Sequence, residues 1–175
     1  MSKVLVITYS YTGTSLQLAK RLCALKGWNL GQIEETSPRR GPFANWRCVL
    51  DSLLRRRPQI DYFGPPPAAF DAVVLVSPIW AYRLAGPMRS FVDRYKAQLH
   101  DFAVISVMGG RGAPNAVAEI VDIAGHSPLL SAAFTTREVE SGSCSPRLRA
   151  FAQALAEARQ EAGDTKPAVW SPRAA

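Results

Sequence analysis

A segment rich in hydroxyl groups follows the first apolar run of the chain. It comprises Ser10, Tyr11, Thr12, Gly13, Thr14 and Ser15. Apolar residues then recur at helical spacing, so the segment opens a helix, where free backbone N–H groups and the helix dipole favour a phosphate. It has neither the Gly-Lys-Ser/Thr of a Walker loop nor the spaced glycines of a dinucleotide fingerprint. A turn with a helix cap uses the same residue types, so taken alone the segment leaves both interpretations open.

Two further segments with a suitable composition follow later apolar runs. The first comprises Ser77, Pro78, Ile79, Trp80, Ala81 and Tyr82, and the second comprises Met108, Gly109, Gly110 and Gly112. Aromatic side chains in such a loop could stack on a ring system, or they could simply pack at the rim of the core. In an open α/β sheet, ligands bind at the carboxyl ends of the strands. We therefore expect the three segments to meet at one edge.

The elements that position these loops alternate along the chain. Apolar and β-branched runs predict five strands, at about residues 4–8, 28–36, 72–76, 102–108 and 129–136. Helical spacing predicts helices after each strand, with Gly27 as a stop signal and Pro87 and Pro146 near helix starts. The helix predicted in the second connection presents Trp46, Val49, Leu50 and Leu53 on one face. Such alternation implies parallel strands joined by right-handed crossovers, and hence a doubly wound three-layer α/β/α sandwich.

Length and composition bound the organisation. The chain has 175 residues, 47% of them hydrophobic and 20% charged, as in an ordinary globular domain. We expect one domain over residues 1–163 and a loosely ordered tail over 164–175. The first residues lack the features of a signal peptide and no apolar run is long enough to span a bilayer, so a cytoplasmic location is expected.

Metal and disulfide chemistry have little support in the sequence. Cys23, Cys48 and Cys144 are widely spaced and odd in number, and the two histidines share no ligand spacing with them. We therefore predict no metal site and no disulfide framework.

The chain is basic, with a formal net charge of +7. Arg39-Arg40 and Arg55-Arg56-Arg57 contribute to this charge. Basic patches attract nucleic acids or acidic proteins, but cations also favour helix C-termini, and Pro58 ends a helix after the second run. A solvated helix end is the simpler interpretation, and nucleic-acid binding is not favoured.

Together the three loops resemble those of the flavodoxin family. Residues 10–15 resemble its phosphate loop, and residues 109–112 resemble its third loop. The second loop and the helix after it match as Ser77-Pro78-Ile79-Trp80 and Gly86-Pro87-Met88-Arg89-Ser90-Phe91. The resemblance covers about residues 3–160. It implies a flavodoxin-like five-stranded parallel sheet of order 2-1-3-4-5 and non-covalently bound flavin mononucleotide (FMN).

The resemblance also implies roles for individual residues. The phosphate would be held by the hydroxyls of Ser10, Thr12 and Ser15 and by the backbone amides of Tyr11, Gly13 and Thr14. These donors are neutral, so the phosphate keeps its charge near the flavin and a low reduction potential is expected. Trp80 or Tyr82 would stack on the flavin ring, which the third loop borders.

The chain departs from the family pattern in three ways. Many members have glycine after the tryptophan, whereas this chain has Ala81, at which a left-handed backbone costs on the order of 1 kcal/mol more. No aromatic residue lies in 108–115, so one ring face is expected to be open to a substrate such as nicotinamide or a quinone. Flavodoxins that carry electrons are typically acidic, whereas this chain is basic, so a protein partner should be acidic.

Three functions follow as hypotheses. The first is an electron carrier that uses bound FMN and has no catalytic residue of its own. The alternative is an NAD(P)H-dependent FMN oxidoreductase that acts on quinones or similar small acceptors. The third and least favoured is a flavin-free binding or regulatory module on the same fold. The sequence leaves the oligomeric state open.

Overall fold

The computed structural model describes residues 3–36 and 54–164 of the chain. Within them, one sheet has seven strands in the order β3-β2-β1-β4-β6-β7, with β5 paired to β4 alone. The strands are β1 (Val4–Tyr9), β2 (Asn29–Glu35), β3 (Ile60–Phe63), β4 (Ala72–Trp80), β5 (Arg83–Leu84), β6 (Phe102–Met108) and β7 (Leu130–Thr135). The five strands β2, β1, β4, β6 and β7 run parallel in that order, which confirms the predicted topology.

The predicted count of five strands is wrong, because two antiparallel strands were missed. β3 pairs antiparallel with β2 at the sheet edge, and β5 pairs antiparallel with the end of β4. β3 has only four residues, of which Ile60 is buried, Tyr62 is half-buried and the other two are exposed. β5 has two residues and exists only because the chain folds back after Trp80. Elements this short carry no periodicity from which a strand can be predicted.

β4 is longer than the apolar run that predicted it. Ser77, Pro78, Ile79 and Trp80 were expected in a loop, but all four belong to β4. Ser77 and Pro78 pair with β6, and Ile79 and Trp80 pair with β5. Proline is unfavourable within a sheet because it has no N–H to donate, which explains why the prediction ended before it. The second loop is thus reduced to the turn that follows Trp80.

Helices cover both faces of the sheet. They are α1 (Thr14–Lys26), α2 (Gly86–Tyr95), α3 (Ala113–Ala124), α4 (Thr136–Ser141) and α5 (Ser145–Asp164). Leu18 and Leu22 of α1 pack with Leu148 and Leu155 of α5 in one core cluster. A second cluster holds Met88, Phe91 and Val92 of α2 with Ala116 and Ile120 of α3. Two separate cores on either side of β1, β4 and β6 make the predicted three-layer sandwich.

Helix boundaries follow from their caps. Gly27 ends α1 with φ 68° and its N–H donates to the Cys23 carbonyl, as expected for a glycine stop. The short helix α4 was not predicted, although Thr135 and Glu138 form a reciprocal capping box at its start.

Two of the predictions concern segments outside the described residues. The helix predicted around Trp46 falls there, as do all but the first residue of the tail predicted over 164–175. In the part of the chain that the structure covers, no helix combines the length and apolar character that a membrane span requires.

Candidate functional site

The first loop joins β1 to α1 and exposes the helix N-terminus. Gly13 is the N-cap residue, with φ 92°, and no side chain caps the helix there. Its carbonyl accepts the first helical hydrogen bond, from the Gln17 N–H at 2.9 Å. A β-carbon on Gly13 would meet no atom within 4 Å, so the glycine serves the left-handed backbone and not a close approach. This geometry leaves amide donors at the start of α1 for an anion.

Hydroxyl groups crowd the same loop, and one of them is unsatisfied. The Ser10 Oγ is buried and has no hydrogen-bond partner among residues 3–36 and 54–164. The Oγ1 atoms of Thr12 and Thr14 lie 3.4 Å apart, and Thr14 and Ser15 are buried. A buried polar atom without a partner is costly, and in native proteins it calls for a ligand or water. The loop has the donors for an oxyanion and no charged side chain.

Trp80 connects the first loop to the second. Its ring lies edge-on to Tyr9, with centroids 5.8 Å apart and planes at 84°. It is also edge-on to Tyr11, at 5.9 Å and 90°. The Tyr9 hydroxyl donates to the Glu35 Oε1 at 2.6 Å, which fixes this ring. Trp80 is half-buried and Tyr11 is 37% exposed, so an aromatic surface borders the hydroxyl loop.

Ala81 and Tyr82 form a two-residue hairpin turn between β4 and β5. Both have left-handed backbones, with φ 47° for Ala81 and 63° for Tyr82. Positive φ at both central residues characterises a type I′ turn, which normally uses Asn-Gly or other residues that tolerate this conformation. The expected cost at Ala81 is therefore incurred, and Tyr82 adds a second strained residue. The Tyr82 side chain stands at the tip and is 59% exposed.

The third loop packs against this turn through one glycine. Gly112 caps α3 with φ 113°, and a β-carbon there would lie 2.7 Å from the Tyr82 Cα and 3.1 Å from the Ile79 Cγ2. Gly109 and Gly110 are exposed, and a β-carbon on either would meet nothing within 4 Å. Met108 ends β6 and is half-buried. The three loops that were predicted to converge lie side by side. Ser77 is buried and Pro78 is half-buried in the sheet behind them.

A buried ion pair, absent from the sequence-based predictions, lies beneath the turn. Arg89 is 2% exposed and Glu119 is 7% exposed. The Arg89 Nε donates to the Glu119 Oε1 at 2.9 Å, and the Arg89 Nη2 lies 2.8 Å from the same oxygen. Burial lowers the pKa of the Arg89 guanidinium, and the charge of Glu119 opposes that shift. Arg89 lies in a continuous run of buried residues of α2 that also includes Ser90, so its position in the sequence did not distinguish it.

Charged clefts flank the ion pair. One of about 380 Å³ lies beside α2 and another of about 350 Å³ lies beside Tyr82, and Arg55, Glu119 and Asp122 line both. The Arg55 Nε is 3.8 Å from the Glu119 Oε1. The backbone after Arg55 is fixed on α2, since the Ser90 Oγ donates to the Pro58 carbonyl at 2.7 Å. The backbone of the arginine run is thus held against α2, while its three side chains are exposed as predicted. The predicted helix end is wrong for Arg55, Arg56 and Arg57, because residues 54–58 form a turn and an extended segment.

Metal chemistry gains no support from the side-chain geometry. Over residues 3–36 and 54–164, no group of three or more His, Cys, Asp or Glu side chains could hold an ion.

Comparison with known proteins gives the fold its name. No protein-family model and no curated protein sequence matches this chain. Among solved structures, a flavoprotein in complex with FMN from Lactobacillus acidophilus superposes with a TM-score of 0.67 at 19% identity, covering 82% of this chain and 99% of that one. A WrbA-like flavodoxin from Agrobacterium tumefaciens gives a TM-score of 0.55 at 14% identity, covering 91% and 99%. A flavone reductase gives 0.57 at 13% identity, covering 97% of this chain and 66% of that one. The chain therefore has the flavodoxin-like fold.

Proposed function

We propose that this chain binds FMN non-covalently where its three loops meet and transfers electrons through it. The observation that carries the proposal is the orphaned, buried Ser10 Oγ beside the uncapped start of α1. A phosphate there would satisfy both the hydroxyl and the helix amides. The superposable Lactobacillus flavoprotein was solved with FMN, which supports the same ligand here.

The residues of the loops fit the two ends of FMN. Ser10, Thr12 and Ser15 would offer hydroxyls to the phosphate, and Tyr11, Gly13 and Thr14 would offer backbone amides. The flavin ring would be bordered by Ala81, by the aromatic rings of Trp80 and Tyr82, and by the backbone of residues 108–112. Bound FMN supplies the redox chemistry, and the protein supplies binding, orientation and electrostatics.

Electrostatics at the phosphate end favour a low potential. Residues 10–15 contain no lysine or arginine, so the phosphate would be held by neutral donors. Its remaining negative charge would oppose the addition of further negative charge to the ring. We expect a reduction potential below that of free FMN, measured by equilibration with a reference dye.

A reductase activity is the second candidate, and a specific feature favours it. The third loop has no aromatic residue, and the cleft of about 350 Å³ lies directly beside Tyr82. Arg55, Arg83 and Asn115 line that cleft together with Glu119 and Asp122, so it offers both donors and acceptors to a polar small molecule such as NAD(P)H. The superposable flavone reductase is in keeping with a small acceptor.

A protein partner, if the chain is a carrier, should be acidic. The net charge is +7, and Arg83 and Arg111 lie near the exposed Tyr82 and the third loop. Charge complementarity mainly raises the association rate, and salt screens it. Electron transfer to such a partner should therefore slow as ionic strength rises.

Two titrations test the proposal. Flavin-free protein is titrated with FMN and, separately, with riboflavin, which lacks the phosphate, and quenching of flavin fluorescence gives each Kd. We expect FMN to bind at least about tenfold more tightly, since phosphate contacts are charge-assisted hydrogen bonds. Protein that takes up neither flavin would favour the flavin-free binding module.

Anaerobic addition of NADPH to the FMN complex then separates the electron carrier from the reductase, because rapid bleaching of the flavin without a partner protein indicates a reductase.

A further inference from the structure

Leu84 in β5 has both of its backbone polar groups held by the buried ion pair. Its N–H donates to the Glu119 Oε2 at 3.1 Å, and its carbonyl accepts from the Arg89 Nη2 at 2.9 Å. Leu84 is 1% exposed, so without these side chains a buried donor and acceptor would lose their partners. The pair therefore completes the hydrogen bonding of a strand that has only two residues.

The same guanidinium reaches a third element. The Arg89 Nη1 donates to the Arg56 carbonyl at 2.8 Å, which links α2 to the segment before β3. Gly86, at the start of α2, lies close to this segment, since a β-carbon there would be 3.2 Å from the Arg56 carbonyl oxygen. One arginine thus joins α2, α3, β5 and the arginine run. A planar fork with five donors can do this, whereas a lysine cannot.

Besides satisfying Leu84, the pair adjoins an unusual backbone conformation. A buried ion pair often contributes little net stability compared with apolar residues of similar volume, and in some proteins it serves to specify one conformation. The conformation that it adjoins is strained, because Ala81 and Tyr82 both have positive φ. Strained residues persist only where the surroundings over-determine them. Leu84 lies two residues after Tyr82. The Arg89–Glu119 pair, here called the clamp, therefore holds the strand that directly follows the turn.

We propose that Arg89 and Glu119 are positioning residues that hold the Ala81-Tyr82 turn in its left-handed conformation and so set the flavin-ring side of the site. The inference rests on the proposed function, since it assigns the clamp to FMN binding. Neither residue needs to touch the ligand. The clamp acts through the Leu84 backbone. The Ala81-Tyr82 turn also lies against Gly112 of the third loop.

The test is a rescue experiment built on Glu119→Gln and Ala81→Gly. Glu119→Gln removes the charge that orients Arg89, and we expect FMN binding to weaken about tenfold. Glycine adopts the left-handed conformation without strain, so Ala81→Gly in the Glu119→Gln background should restore the Kd to within about threefold of the parent. Asp93→Asn is the matched control, because Asp93 lies on α2 and pairs with Arg57 and Lys96 without contacting β5.

A second readout does not depend on flavin. Amide hydrogen exchange of the flavin-free protein should speed up at Arg83, which pairs with Trp80 across the turn, in Glu119→Gln. It should return toward the parent rate in the double variant. Leu84 is not used, because its N–H donates to Glu119 itself. If Glu119→Gln does not fold, Arg89→Lys takes its place. Lysine keeps the positive charge, but its single ammonium group cannot donate to the Leu84 and Arg56 carbonyls and to Glu119 at the same time.

The outcomes separate the two proposals. A parent protein that takes up no FMN overturns the proposed function, while the exchange data still decide whether the clamp holds the turn. Weakened FMN binding that Ala81→Gly does not restore, or unchanged exchange at Arg83, overturns the clamp. Restoration in the double variant, with Asp93→Asn unchanged, supports it.

Discussion

Gly112 and Tyr82 approach so closely that a β-carbon on the glycine would lie 2.7 Å from the Tyr82 Cα. The contact joins the third loop to the strained turn of the second loop. It involves backbone on both sides, so neither residue can give way by rotating a side chain. The position of the third loop is therefore tied to the left-handed conformation of Ala81 and Tyr82.

This contact makes Gly112→Ala a severe substitution. The added methyl group would collide with the Tyr82 backbone and crowd the Ile79 side chain, and alanine would have to adopt a φ near 113°. We expect a loss of about 2 kcal/mol or more in the free energy of unfolding, together with weaker FMN binding. Urea denaturation and flavin titration measure the two effects.

Gly109→Ala provides the matched control for that substitution. Gly109 lies in the same loop, and a β-carbon there would meet nothing within 4 Å. We expect its stability to match that of the parent, and stability is the quantity compared because the backbone of this loop is proposed to border the flavin. Equal effects of the two substitutions would argue against the close approach as the cause.

Ser10→Ala should affect stability and binding in opposite directions. The Ser10 Oγ is buried without a partner in the described chain, so removing it should leave the flavin-free protein as stable as the parent or up to about 1 kcal/mol more stable. The same change removes a donor for the phosphate, so FMN should bind about tenfold more weakly. Thermal unfolding and fluorescence titration report the two quantities.

Ser131→Ala is the control, because Ser131 is an exposed serine in β7, far along the sheet order from β1. It should change neither quantity. A Ser10→Ala protein that binds FMN as tightly as the parent would remove the main support for the phosphate site.

The parallel sheet could be predicted because its signal is local. The runs that became β1, β4 and β6 are apolar and β-branched over at least five residues, which is typical of strands buried on both faces. The helices that follow begin at glycine or proline signals such as Gly13 and Pro87. Since ligand sites of such sheets lie at the carboxyl ends of strands, the edge that holds the loops could be predicted as well.

The turn and the clamp could not be predicted because their determinants are not local. Ala81-Tyr82 lacks the Asn-Gly or Asp-Gly signature of a two-residue hairpin, so nothing in the sequence indicated β5. Arg89 and Glu119 are 30 residues apart and meet only when α2 and α3 pack side by side. Their partner, Leu84, contributes backbone atoms, which leave no trace in residue type.

Tyr62 should make stability depend on alkaline pH. Burial, with a smaller contribution from Tyr95, raises the pKa of its hydroxyl from 10.0 to about 12. The hydroxyl donates to the Pro65 carbonyl at 2.7 Å, and the ring packs against both Phe91 and Tyr95. The folded pKa lies above the unfolded value, so this contribution is fully present below pH 10 and is lost as the pH rises toward 12.

The comparison with Tyr62→Phe isolates this effect from other groups that titrate at high pH. At pH 8 the parent should be about 1 kcal/mol more stable, because the variant loses one hydrogen bond to a carbonyl. Urea denaturation should show that this difference in the free energy of unfolding is smaller at about pH 11.5 than at about pH 8, since about pH 11.5 lies close to the folded pKa of about 12. A difference that stays constant over this range would mean that Tyr62 ionises as readily in the folded protein as in the unfolded one.

Trp80 should be the aromatic residue that most affects FMN binding. Its ring is fixed edge-on by Tyr9 and Tyr11, whereas Tyr82 is 59% exposed at the tip of the turn. An aromatic ring that is already oriented loses less conformational entropy when a flavin stacks on it. Trp80→Leu should therefore weaken FMN binding about tenfold, and Tyr82→Leu should weaken it less, as fluorescence titration would measure.

The same pair of variants bears on the choice between carrier and reductase. Tyr82 borders the cleft of about 350 Å³ that could admit a small acceptor, and Trp80 does not line it. If the chain is a reductase, Tyr82→Leu should change the KM for NADPH or for a quinone while FMN stays bound. Trp80→Leu should act mainly by releasing FMN, so excess FMN should restore its turnover. The reverse pattern, with FMN retained by Trp80→Leu and lost from Tyr82→Leu, would assign the flavin ring to the turn.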